Sequence, residues 1–389
     1  MSNINCDVLI IGGGAAGCRA ALSAKEAEPS LRVTLACSGK LGVGGSTNMV
    51  ASEALGINAP LNAMGDADSP DIYYNDMLHT GGGLADPSLC RIIADESADR
   101  IHDLIAYGVV FNTTEHGGIK QVKLSGCSKA RSLVCGGSTG KEIVEALWRR
   151  AAAIGVELLE NMAIFELLRD ADGCVCGARG ICKGEEQIIY CRSLILATGG
   201  AGAVFQRNVT PNTQNGDGWA MAYACGCSFV NMEFFQIGPA IATASGMKYI
   251  IHSHMWSLMP IMRNGQGKQF LHSYCPTEVQ PEEAVRLKAM SYPFSVRTDA
   301  KYVDIAIFRE IMAGRNTPNG GVWFDVTHAG KARLAKVQPI TYEHLLHAGI
   351  DLAREPVELT LAVQNGCPWI VCRGRSNRRR SWFGSPWRE

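Results

Sequence analysis

Asp7-Val-Leu-Ile-Ile11 is a short apolar run that stops at Gly12-Gly-Gly-Ala-Ala-Gly17, and Cys18, Ala21 and Leu22 then recur at helical spacing before Pro29. A strand, a tight turn and a helix in that order leave few folds open. Leu31, Val33 and Leu35 alternate as a second strand, completing a βαβ unit of the length a dinucleotide-binding sheet uses. Gly12 permits the turn, Gly14 lets the backbone approach a pyrophosphate, and Gly17 packs the helix on the strand. Free N–H groups at the helix start, around Ala16, then face the anion. The acidic residue expected at the end of the second strand, where it would hold a ribose hydroxyl, is absent. Ala36-Cys37-Ser38 stands there, which counts against NAD.

Further along, Asp86-Pro87 reads as an N-cap followed by proline at the first helical position, with Leu89, Ile92, Ile93, Ile101, Leu104 and Ile105 as the apolar stripe. Thr139-x-x-Glu142 reads as a capping box opening a helix that runs through Leu147 and Trp148 to Gly155. Between Ala163 and Arg192, three strand-like runs separated by Asp170-Ala-Asp-Gly173 and Lys183-Gly184-Glu185 predict an antiparallel meander. Leu194-Ile-Leu-Ala197 then reads as a buried parallel strand, and its loop Thr198-Gly-Gly200 falls at the carboxyl edge of the sheet, where such folds bind ligands. From Phe234 onward His, Met, Pro and Trp become more frequent, which places a domain boundary near Gly238.

Composition narrows the partners. The chain has 389 residues, enough for two or three domains at ~150 each. Lys+Arg and Asp+Glu both number 37, so there is no broad basic field for nucleic acid. The fifteen cysteines include no C-x-x-C pair, so zinc and chain-borne iron–sulfur ligation lack their usual spacing, and the thiols read as small apolar residues. No apolar run reaches the ~18 residues of a membrane span, and the amino terminus lacks a basic segment ahead of its apolar run, so the expectation is a cytoplasmic protein that is not integral to a membrane.

Taken in order, these segments resemble one family, the FAD-dependent flavoprotein subunits of fumarate reductase and succinate dehydrogenase together with L-aspartate oxidase. The glycine fingerprint is followed by Gly45-Ser46-Thr47, Gly56-Ile-Asn-Ala59, Gly83-Leu-Ala-Asp86 and Ala197-Thr-Gly-Gly200. Asn215-Gly-Asp-Gly218, Met232-Glu-Phe-Phe-Gln236, and Gly321-Val-Trp-Phe-Asp325 ahead of Thr327-His328 complete the series. The resemblance implies an α/β fold, a Rossmann-like FAD-binding domain with an antiparallel β-meander insertion, plus a smaller α+β capping domain. It implies residues 1–238 as the first part of the FAD domain, 239–350 as the capping domain and 351–365 as the start of the return. Gly12, Gly14, Ala16 and Gly17 would face the pyrophosphate, with Ser46, Thr47 and Gly56 along the flavin. Ala163 would offer backbone to the adenine side, Ala197, Thr198 and Gly199 would line the sheet edge, and Asp217 would contact FAD. The first histidine is His79, far along the chain from the Ser46-Thr47 stretch where relatives attach FAD covalently, so non-covalent FAD is expected.

Pro293-Phe-Ser-Val-Arg297 matches the segment that bears the family's proton-donating arginine, which makes Arg297 the candidate for proton transfer to a small carboxylate substrate. A helix-start arginine in a salt bridge fits the same residues. Electrons would be exchanged with oxygen as acceptor, with a free flavin or with an iron–sulfur partner subunit. Three departures count against fumarate or succinate themselves: Ile237-Gly238-Pro239 replaces a substrate histidine, residues 240–262 carry His252-Ser-His254 in place of a Thr-Glu pair, and Gln269-Phe-Leu-His272 replaces Arg-Phe-x-Glu. His252 and His254 are candidate substrate contacts. Residues 366–389 hold six Arg and three Trp, with Ile370 and Val371 as their aliphatic residues. The expectation there is that a frameshift or early end has put a basic tail in place of the family's returning strand, with a natural tail as the alternative. A non-catalytic remnant and a nicotinamide-linked reductase are the competing readings. The second is disfavoured because no second glycine fingerprint follows a strand.

Overall fold

The computed structural model describes residues 3–244, 246, 249–291, 295–366, 369–373 and 379–381. Its first layer is a parallel sheet in the order β10 (Ser193–Leu196), β2 (Val8–Ile11), β3 (Val33–Ala36), β6 (Glu157–Leu159). In β2, Ile10 joins the core formed with Cys18 and Leu22 of α1 (Ala15–Ala27), Ile101 of α3 (Pro87–Ala106) and Leu147 of α4 (Thr139–Ala153). Its neighbours Leu9 and Ile11 face the other way, into a core with Met162, Ala178 and Ile189. Both faces are therefore covered, and the strand must be apolar at every position. The same holds for β3. Its four residues are all buried, so the alternation read from Leu31, Val33 and Leu35 is replaced by continuous burial, with Thr34 spending its hydroxyl on Glu157 at 2.9 Å.

The second face belongs to the meander. β7 (Met162–Arg169), β8 (Val175–Cys182) and β9 (Glu185–Tyr190) are antiparallel, as expected from Ala163–Arg192, and β1 (Asn3–Asn5) adds itself parallel to β9. A two-strand ladder of β4 (Ile57–Asn58) and β5 (Ser132–Leu133) closes the side near α4.

Two helix readings are corrected. In α3, Asp86 caps as expected, accepting from the Ser88 and Leu89 N–H groups, but the buried stripe is Cys90, Ala94, Ile101 and Leu104. Ile92, Ile93 and Ile105 are exposed, because the small Cys90 and Ala94 let α3 lie close on Tyr73 and Met77 of α2 (Pro70–Gly81). In α4 the N-cap is Ser138, and the Thr139 hydroxyl accepts from the Cys135 N–H at 3.0 Å, so the capping box does not form. Beneath α2, the Arg131 guanidinium is fully buried and bonded to Asp68 and Asp76.

After α5 (Asp217–Ala224) and β11 (Ser228–Val230) the chain enters a second sheet, ordered β13 (Tyr249–Ile250), β12 (Phe235–Ala242), β16 (Val357–Gly366), β15 (Val322–Asp325), β14 (Ile261–Arg263), every pairing antiparallel. Gly238 sits in the middle of β12, opposite Ala362. Helices α6 (Ser253–Trp256), α7 (Pro281–Ser291), α8 (Lys301–Met312), α9 (Gly330–Val337) and α10 (Pro339–His347) surround a core in which Trp256 meets Phe324 edge-on, 5.4 Å between centroids. The segment expected to start the return, 351–365, leads into β16, which pairs with β12 and β15 within this second sheet.

The tail expectation is corrected in part. β17 (Trp369–Arg373) pairs antiparallel with β11 and with β18 (Arg379–Ser381), so a strand does form beyond residue 366. Trp369-Ile-Val-Cys372 is a run of aromatic and β-branched residues, which suits an added strand even without a longer apolar stretch. Residues 367–368, 374–378 and 382–389 lie outside the described residues.

Candidate functional site

Three strand ends meet at one edge. The Gly12 N–H donates to Ala36 O at 2.8 Å and the Ala197 N–H to Ile11 O at 2.7 Å, so β2, β3 and β10 stop together. Gly12 holds φ +119°, where L side chains are strained, and a Cβ there would lie 2.1 Å from Ala197 O. Gly17 is buried on the inner side of α1, and a Cβ on it would fall 1.8 Å from Gly12 O. Gly14 differs: it is the N-cap of α1, extended, without a side-chain cap, and a Cβ there would meet nothing nearer than Thr47 Oγ1 at 3.7 Å. Ala16 is exposed one residue into the helix. Sterics thus assign the outer two glycines to packing and the middle one to an open approach, as the fingerprint's mechanics require.

A second wall stands opposite. The Ala15 N–H reaches Thr47 Oγ1 at 3.4 Å, which links the helix start to the Ser46-Thr47 stretch. The Gln214 amide donates to the Ser46 hydroxyl and lies against the Gly199-Gly200 loop, bridging the two segments. A Cβ on Gly218 would strike Thr198 Oγ1 at 1.8 Å, so α5 presses directly on that loop, and Asp217 is exposed at its first turn, accepting from Asn215 Nδ2 at 2.8 Å.

Two other expected residues have contacts of their own. Gly56 is tight against Leu133 O, 1.8 Å from an added Cβ, which serves the β4–β5 contact. Ala163 lies in β7 beside Met162, whose N–H donates to Cys37 O at 2.8 Å, just beyond the end of β3. At that strand end Cys37 donates its thiol to Gly39 O at 3.0 Å, and burial, with Glu160 adding, pushes the thiol up to about 11. Gln214 and Gly140, whose added Cβ would overlap Thr47 O, are the supports that sequence reasoning missed.

His252 and His254 are brought together in a recess of about 40 Å³, open to solvent, whose walls include Ser52, Glu53, Leu124 and Gln338. Burial holds His252 below the usual imidazole range, with Glu53 opposing and His254 adding to the effect. The Glu53 carboxylate accepts the Thr341 N–H at 2.9 Å, so a residue of the first half of the chain caps α10. Arg297 lies elsewhere: its guanidinium is exposed and donates to the His79 and Thr80 carbonyls at 2.6 Å each, closing the end of α2. Pro293 and Phe294 of its motif lie outside the described residues. His328 is a satisfied turn histidine, its Nε2 2.9 Å from Leu258 O. Among the described residues no group of His, Cys, Asp and Glu could hold a metal ion, and no helix is long and apolar enough to cross a membrane.

A parallel sheet whose glycine-lined carboxyl edge faces an uncapped helix start defines a dinucleotide-binding α/β protein. The chain belongs to the family described as FAD binding domain, which matches residues 7–379. It is 34% identical over 360 residues to a subunit of fumarate reductase (CoM/CoB) from Methanothermobacter marburgensis, covering 91% of this chain and 61% of that protein. With the L-aspartate oxidase of Streptomyces coelicolor it shares 34% identity over 244 residues, 61% of this chain and 40% of that one. The Mycobacterium smegmatis Sdh1 structure in complex with UQ1 superposes with a TM-score of 0.79 at 25% identity, covering 95% of this chain and 61% of the other. The chain thus spans about 60% of the length of the first of these relatives. FAD is the cofactor indicated by the family and by the open approach at Gly14.

Proposed function

We propose that this chain is an FAD-dependent oxidoreductase of the fumarate reductase and L-aspartate oxidase class, acting on a small carboxylate-type substrate in the recess that carries His252 and His254. The observation behind it is the division of labour among the glycines, in which Gly12 and Gly17 are filled by backbone while Gly14 faces space. Bound FAD would supply the centre that gives and takes hydride. Ala16 and Gly17 would offer N–H groups to its pyrophosphate, Thr47 holds the Ala15 N–H beside them, and Ser46 and Gln214 would fix the loop that borders it. His252, held neutral by its burial, is suited to accept a hydrogen bond from a substrate or to orient it. Electrons would arrive from outside the chain, with an iron–sulfur partner subunit as the proposed source.

The test is the absorption spectrum of the protein after gel filtration. Bands near ~370 and ~450 nm at about one flavin per chain are expected, as for a flavin held by a protein that leaves its chemistry to the cofactor. On acid precipitation the colour should leave with the supernatant, because the first histidine, His79, stands far along the chain from the Ser46-Thr47 stretch. A colourless protein sinks the proposal, and a yellow pellet sinks its non-covalent part.

Arg297 enters the proposal as the proton-transfer residue by its place in the matching segment, a role that requires its guanidinium to leave the end of α2 and reach the substrate. Its two helix-end hydrogen bonds alone would make Arg297→Ala cost about 1 kcal/mol of stability. Proton transfer requires more, namely turnover lost by orders of magnitude with flavin still bound. Turnover within a few-fold of the parent protein would leave Arg297 a helix cap.

A further inference from the structure

The recess holds a side chain that the fold does not satisfy. Gln338 is 1% exposed and lines the recess, yet neither its amide Nε2 nor its Oε1 has a hydrogen-bond partner. Its backbone is fully employed: the N–H donates to Leu334 O and the carbonyl accepts from Tyr342, both at 2.9 Å, at the junction of α9 and α10. A glutamine at a helix start could fold back onto the free N–H groups, but that position is taken by Glu53, which accepts from both the backbone N–H and the hydroxyl of Thr341. The amide is thereby left unpaired in the wall of the recess. Leaving a buried donor and acceptor unmatched costs about 1–3 kcal/mol for each group, and buried polar atoms in folded proteins are nearly always paired. The partner must come from outside the chain.

The surroundings say what kind of partner. Ser52 turns its hydroxyl oxygen to the N–H groups of Ala54 and Leu55, and Glu53 is held by Thr341. No lysine or arginine is among the described residues that line the recess. A second carboxylate set against Gln338 would lose water without gaining a lysine or arginine, which is costly. A carboxamide carries one donor and one acceptor side by side and can pair with both ends of the glutamine amide.

We infer that Gln338 is a specificity-determining residue that reads an uncharged, carboxamide-type end of the substrate, so that the recess prefers such a group to a second carboxylate. This rests on the proposed reading of the recess as the substrate site.

Fumarate and fumarate monoamide are the probes, titrated into the flavin-loaded full chain and followed by the flavin absorption change and by thermal shift. The parent protein should bind the monoamide about tenfold more tightly, a difference of about 1.4 kcal/mol. Gln338→Leu should erase that preference while its melting temperature holds or rises, because it removes the unpaired amide and keeps the volume. Gln338→Glu still accepts from the amide N–H and sets a charge against the second carboxylate of fumarate, so it should keep or widen the monoamide preference. Equal affinity for both probes, tighter binding of fumarate, or binding of neither, as for a recess filled by water alone, would overturn the inference. So would a marked fall in melting temperature for Gln338→Leu, the signature of an amide already bonded inside the fold. A chain that takes up no flavin would sink the oxidoreductase proposal, while thermal-shift titration of that flavin-free chain still reads the preference set by Gln338.

Discussion

Gly17→Ala is expected to leave little folded, flavin-bearing protein, although it adds one methyl group. The added carbon would sit 1.8 Å from Gly12 O, a backbone atom that cannot rotate away, and Gly12 is itself pinned with its own missing Cβ 2.1 Å from Ala197 O. Relief requires α1 to lift from β2 and β10, exposing Cys18, Ala21 and Leu22, all buried without measurable exposure. Overpacking of this kind costs roughly 3 kcal/mol or more. Gly14→Ala is the control. Its nearest neighbour would be Thr47 Oγ1 at 3.7 Å and its backbone is extended, so the fold should lose at most about 1 kcal/mol, from the poorer N-cap. Flavin affinity should nevertheless drop about tenfold, since the methyl enters the space proposed for the pyrophosphate. Urea unfolding and flavin titration on the two variants separate the effects. Equal stability losses, or a fully yellow Gly17→Ala protein, would refute the division of labour among the glycines.

That division was legible in the sequence because fixed spacing in a continuous strand–turn–helix leaves little freedom. The meander was legible for a similar reason: Asp170–Gly173 and Lys183–Glu185 are local turns, and both join neighbouring antiparallel strands. Readings failed where the outcome depended on residues distant in sequence. The stripe on α3 shifted to Cys90 and Ala94 because α2 supplies Tyr73 and Met77 to meet them, a pairing that residues 87–106 alone do not encode. Thr139 was read as a cap, but Cys135 claims its hydroxyl. The strand Trp369–Arg373 escaped notice because its run is short and its partner, Ser228–Val230, lies about 140 positions earlier.

The site divides along the same line. The residues of the glycine turn and the Ala197–Gly199 loop are found at one edge because neighbouring parallel strands of the sheet end there. His252 and His254 were singled out by type, and the structure places both in one recess. Gln338 carried no signal at all: a polar residue between Val337 and Pro339 looks like a solvated helix boundary. Its burial follows from Glu53 capping α10 across 288 positions of sequence, and no periodicity reports such a contact.

Acid should weaken the capping half of the molecule through one carboxylate. Glu310 on α8 is 3% exposed and bonded to both Nε and Nη2 of Arg315, at 2.9 and 2.8 Å, with the Tyr274 hydroxyl and the Asn264 amide completing the set. The Arg315 guanidinium, with help from Tyr274 and Asn264 and against the effect of burial, holds this carboxyl down to about 2, below its ordinary 4.5. A carboxyl depressed in the folded state binds its proton more readily when unfolded. The stability it contributes is therefore complete above about pH 4.5 and is lost as pH falls toward 2. At about 1.4 kcal/mol per unit, that contribution is roughly 3 kcal/mol at neutral pH and about half as much at pH 3. Glu310→Gln keeps the shape and removes the charge, so the gap between parent and variant in urea unfolding should shrink from roughly 3 kcal/mol at pH 7 to under half of that near pH 3. A gap that stays constant with pH would mean the network is held by shape and neutral hydrogen bonds. The network ties α8 to the Leu271–Ser273 turn and to the segment after β14, on the same hydrophobic core that seats Trp256, two residues beyond His254. Loosening it should therefore also blunt the carboxamide preference of the recess as the pH is lowered, while the glycine edge, built on the other sheet, keeps its flavin.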